Sequence, residues 1–149
     1  LSNIVDQIHG AIETSVATVL GANYQKMRRI YNPSENDLRN SKSSYSVLHG
    51  AASSSIGITN HYTLDHSFRI QVMTTFIDRL DDANIQDEIN SLYSKIDDIL
   101  VNMHLTKLGL PSIVLVVNEP SIDEPQVLFE NTAVLISFGI NVRYRKAIA

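Results

Sequence analysis

Five histidines could in principle do proton or metal chemistry: His9, His49, His61, His66 and His104. A metal centre needs several nitrogen, sulfur or carboxylate ligands converging on one point. His61 and His66 are five residues apart, which on one strand puts them on opposite faces, so they cannot share an ion without a bulge. They are read as strand histidines, and no metal site is expected. Acidic residues gather at Asp78, Asp81, Asp82, Asp87 and Glu88, with Asp97 and Asp98 further on. A paired-carboxylate active site needs two carboxylates in a cleft with separated pKa values. This run instead falls at the start and along the polar face of a helix, where the dipole and solvent favour negative charge. Ser53, Ser54 and Ser55 lack the Gly-x-Ser-x-Gly frame of a nucleophile elbow. No phosphate-loop or dinucleotide glycine spacing occurs. The expectation is a protein with no catalytic residues, no metal and no cofactor.

Composition narrows the classes further. The chain has 149 residues, which suits one domain with its own core. It has no cysteine, so thiol catalysis, thiolate metal sites and disulfides are excluded. The net charge of −4 argues against general nucleic-acid binding, which needs clustered Lys and Arg. The longest apolar run, Ile113 to Val117, is far short of the ~20 residues a bilayer requires, so no membrane partner is expected. The first residues, Leu-Ser-Asn-Ile-Val-Asp, lack the basic and apolar regions of a signal peptide.

The elements follow from periodicity. Ile4, Ile8, Ala11, Ile12, Val16 and Val19 share one helical face, with Ser2 or Asn3 as a cap and Gly21 as a stop. Tyr24 to Tyr31 reads as a strand, and its Lys26, Arg28 and Arg29 place it at an edge or on a ribbon. Residues 32 to 60 read as a long irregular arm opening on Asn32-Pro33-Ser34 and rich in serine. Leu38, Tyr45, Val47 and Leu48 would anchor it on another subunit. Tyr62 to Ile77 alternates as a half-buried antiparallel strand, with Met73 and Ile77 out of phase.

Asp82 to His104 carries an apolar stripe of Ile85, Ile89, Leu92, Ile96, Ile99, Leu100 and Met103. Ile113 to Val117 reads as a buried strand. Asn118 to Ser121 and Asp123 to Pro125 read as turns, and Thr132 to Arg145 as a closing strand with Gly139 as a bulge or close approach. The sum is an α+β two-layer sandwich: an antiparallel or mixed sheet of four or five strands covered by two helices, plus an arm at about 32–60. The helix from Asp82 is acidic, whereas Arg28, Arg29, Arg143 and Arg145 lie at strand ends. That segregation would suit contacts between subunits, or a ring lumen.

In this order the elements resemble the bacteriophage tail-terminator and tail-completion (neck) proteins. The pieces that carry the likeness are the helix Ile4 to Leu20, the basic strand and long arm, and Asp65-His-Ser-Phe-Arg-Ile-Gln-Val-Met-Thr-Thr-Phe76 leading to Asp81-Asp82. Ile113-Val-Leu-Val-Val-Asn-Glu-Pro120 and Phe138-Gly-Ile-Asn-Val-Arg-Tyr144 complete it. The resemblance implies a non-catalytic virion subunit, assembled in the host cytoplasm. It would form a ring, usually a hexamer, that caps the tail tube and meets the head-tail connector. DNA would pass through its lumen without sequence-specific binding. A head-completion adaptor, or a non-viral interaction domain, is the alternative.

Overall fold

The computed structural model describes residues 3–27, 43–56, 61–76, 78–128 and 130–147. Its elements run α1 (Ile4–Leu20), β1 (Gln25–Lys26), β2 (Ser44–Ile56), β3 (His61–Thr75), α2 (Asp82–Thr106), a 3-10 turn (Lys107–Gly109), β4 (Val114–Ile122), β5 (Gln126–Leu128) and β6 (Ala133–Ala147). The protein is an α+β two-layer sandwich. Six strands are present among the described residues, one more than the upper expectation. They run β1-β2-β3-β6-β4, with β5 also against β6. The sheet is mixed because β1 pairs with β2 in parallel, while every other pair is antiparallel.

Both helices form as their sequences dictate. Asn3 caps α1 by accepting the Asp6 N–H at 2.8 Å. Gly21 ends it at φ 84°, a conformation that favours a residue without Cβ, and its N–H reaches the Ala17 carbonyl. Asp81 caps α2 by accepting the Asn84 N–H at 2.8 Å. The seven apolar positions of the α2 stripe are all buried. They meet Ile8, Ile12 and Val16 of α1 and the inward residues Phe68, Ile70, Val72, Ile136, Phe138, Ile140 and Val142 in one core. Both helices therefore cover one face of the sheet.

β3 and β6 pair from His61 with Ala147 to Thr75 with Ala133 without a register shift. The alternation along most of both strands explains this, since a one-residue slip would turn the core-facing apolar side chains outward. Met73, out of phase in the sequence, packs with Ala133 and Leu135 in a small cluster on the sheet's other face.

Three expectations need correction. The arm reading fails for residues 44–56, which form a full strand paired with β3. The segment is poor in strand formers, and pairing with a strongly alternating neighbour overrides that weak preference. Asn118 to Ser121 is not a turn but part of β4, with a register shift between Asn118 and Ser121. Pro120 lacks an N–H, and an edge strand with a bulge tolerates that loss. The irregularity expected at Gly139 thus sits on the facing strand: Gly139 itself pairs with Arg69 and Ser121. Asp123 to Pro125 does interrupt the edge, between β4 and β5.

Candidate functional site

The side of the molecule formed by β4, β5 and the last turns of α2 collects exposed apolar residues. Val101 and Leu105 of α2 are 56% and 75% exposed, and Val116, Ile122 and Val127 lie on the β4–β5 edge. Of the large exposed hydrophobics among the described residues, Met27 alone lies elsewhere. A groove of about 240 Å³ joins helix to strand, lined by Leu100, Val101, His104, Leu105, Val117 and Asn118. β4 and β5 pair only with β6 among the described residues, so their outer edge presents unpaired backbone groups near these exposed apolar residues. Val101 and Leu105 stand four apart, off the buried stripe of α2. Apolar residues on the polar side of an otherwise acidic helix were a legible signal that the sequence reading did not use.

Away from the Met73 cluster, the sheet face opposite the helices carries polar pairs. Arg143 reaches Asp65 across the β3–β6 pair, with Nε to Oδ1 at 3.0 Å. Arg69 pairs with Asp123, and the Ser46 hydroxyl donates to Gln71 Oε1 at 3.0 Å. The Asp65 carboxylate raises the Arg143 pKa further, through the hydrogen bond and then through charge.

A second cluster lies where α1 crosses β2 and β3. The His9 and His49 rings stack at 4.7 Å, and the His49 and His66 rings meet edge-on at 5.3 Å. His66 stacks on Phe68 at 4.5 Å. His49 Nδ1 and His66 Nε2 are 3.2 Å apart. His9 Nε2 lies 2.9 Å from the Val47 carbonyl, and its Nδ1 lies 3.3 Å from Glu13, which also pairs with Lys26. His66 is 9% exposed; burial, then His49 and His9, hold its pKa below the ordinary histidine value. Only two of these ring nitrogens converge, and no group of three or more His, Cys, Asp or Glu among the described residues could hold a metal ion. Separation in sequence hid this cluster: His9, His49 and His66 come from three elements that only the fold brings together.

The residues expected to make contacts between subunits fall in several places. Arg28, Arg29 and Leu38 lie outside the described residues. Tyr45 and Val47 are 6% and 5% exposed and sit in this chain's own core, opposite Val72 and Ile70. Leu48 is half-buried and pairs in register with Arg69. Arg143 is occupied by Asp65, while the Arg145 side chain is exposed and its backbone N–H donates to the Ile113 carbonyl at 2.9 Å. The acids Asp78, Asp82, Asp87, Asp97 and Asp98 are exposed, and the Asp81 carboxylate serves as the helix cap.

No helix among the described residues is long and apolar enough to cross a membrane. No protein-family profile matches the chain, and no curated protein matches it. Among solved structures it is similar to a chain from the "Virion of native gene transfer agent (GTA) particle". The two share 8% identity at a TM-score of 0.49, over 93% of this chain and 94% of that one.

Proposed function

We propose that this chain is a non-catalytic structural subunit of a phage-like virion. In this reading it is a tail terminator, forming a ring that caps the tail tube and joins it to the head connector. The observation that carries the assembly reading is the open β4–β5 edge, with exposed Val116, Ile122 and Val127 along it and the groove lined by Val101 and Leu105 beside β4. An unpaired sheet edge with exposed apolar residues is a surface built to be covered, because both the apolar area and the backbone groups gain partners there. A second supporting feature is asymmetry. The β4–β5 edge lies on one side of the sheet and the short β1 edge on the other. Contacts between unlike surfaces are head-to-tail, and they close into a ring when the rotation permits. The choice of tail terminator over other virion subunits rests on the order of elements and the pattern of segments described above.

The reading is tested with purified protein mixed with phage tail tubes. Light scattering and electron microscopy should show rings, or caps at one end of the tubes. A protein that stays monomeric and leaves tube ends bare would overturn it. Rings seated on a head connector but never on tubes would instead identify a head-completion adaptor.

A further inference from the structure

The His9–His49–His66 cluster plays no part in the assembly reading and is argued independently of it. Its proton inventory follows from the acceptors around it. The Val47 carbonyl can only accept, so His9 Nε2 donates to it. The other nitrogen, Nδ1, faces the Glu13 carboxylate. Both contacts are to acceptors, so each His9 nitrogen has a partner for an N–H. The His49–His66 pair differs. With Nδ1 and Nε2 at 3.2 Å, one nitrogen must donate and the other accept. A second proton would set two N–H groups head-on and leave both rings of the pair cationic.

We propose that this column of three histidines is an acid-sensitive latch. It fastens α1 to the β2–β3 pair near neutral pH and loosens when the His49–His66 pair takes up a second proton. Among the described residues, the groups around the pair offer that proton little compensation. From α1 the ionisable groups facing the column are His9 and Glu13, and from β1 it is Lys26, already bound to Glu13. β2 supplies His49, with Tyr45 near Glu13 and Lys26; β3 supplies His66. β6 opposes His66 and Phe68 with Val142 and Ile140, and Lys95 of α2 is directed to Tyr24 instead. The Phe68 ring face attracts a cation weakly, but burial and the two neighbouring rings act against it. The register shift between His49 and Ala52 places Gly50 directly after the latch, a point where the strand can yield.

The sign follows from the folded-state pKa of His66, which lies below that of the unfolded chain. The stability tied to neutral His66 is fully present above pH ~6.5 and falls as pH drops below that value.

Hydrogen exchange of the full chain at pH 7.5 and pH 5.0, corrected for intrinsic rates, tests the latch. The α1 amides should lose protection on the order of tenfold at pH 5.0, as expected for like charges about 5 Å apart with solvent screening at His49. The β6 amides should keep theirs. His49→Phe, which retains a ring but no proton site, should clearly reduce the difference. Equal α1 protection at both pH values in the wild type, or an undiminished loss in His49→Phe, would overturn the proposal. If that variant does not fold, nuclear magnetic resonance of the wild-type imidazoles decides. Linked titration of His49 and His66 in two steps, with the second below ~6.5, supports the latch; independent single titrations refute it.

Discussion

Arg143 and Asp65 face each other in register on β6 and β3, with the guanidinium Nε 3.0 Å and its Nη2 3.4 Å from the two carboxylate oxygens. An arginine expected to reach a neighbouring subunit thus has a partner within its own chain. Arg145, two residues on and on the same face, is exposed and is the better candidate for a contact outside the subunit.

The Arg143–Asp65 pair predicts a reciprocal mutational pattern. Arg143→Glu should lower the melting temperature modestly, because two like charges then oppose each other across the strands. Exchanging both residues, as Asp65→Arg with Arg143→Glu, should recover most of the loss. Thermal melts of the two single variants and the double variant check this, and a double variant no better than the singles would show that the pair does not couple.

The groove beside β4 predicts a separation of stability from association. Val101→Lys with Leu105→Gln replaces exposed side chains, so unfolding free energy should change by no more than about 0.5 kcal/mol per site. Self-association, or capping of tail tubes, should fall sharply. Sedimentation velocity alongside denaturant unfolding reads both quantities from one preparation.

Gly50 predicts a steric penalty. A Cβ built there would lie 3.0 Å from the Ser67 carbonyl oxygen and 3.1 Å from the Ser67 Cβ. Relief requires moving β3, so Gly50→Ala should destabilise by about 1–3 kcal/mol. Chemical denaturation with an unchanged m-value is the expected signature.

Phe138 is fully buried between the helices and the sheet. Phe138→Ala removes a large ring from a packed core and should cost about 3–5 kcal/mol. Asp81→Ala removes the α2 cap and should cost about 1 kcal/mol. Equilibrium unfolding in urea would rank the two, and the order is the prediction.

Much of the fold was legible wherever the signal was local. The stripe Ile85 to Met103 defined α2 because helix periodicity is a property of neighbours in the chain. The alternation of β3 and β6 likewise named their buried faces, Phe68, Ile70 and Val72 against Ile136, Phe138 and Ile140. β2 was not legible as a strand, because Ser44 to Ile56 owes that state to its pairing with β3 rather than to its own composition. Tyr45 and Val47, apolar residues in a serine-rich stretch, read from sequence as anchors on a neighbour, whereas the fold buries them in this chain's own core.

The sequence by itself determined the two helices, the two long strands, a cap at Ser2 or Asn3, the acidic start of α2 at Asp81 and Asp82, and the absence of any cysteine chemistry. Each depends on residue type or on spacing within one element. Only the tertiary structure decided that Arg143 meets Asp65, that His9, His49 and His66 stack in one column, and that Val101 and Leu105 adjoin an open strand edge. Those relationships join elements far apart in the chain. Sheet order, register and helix placement set them, and no local pattern carries that information.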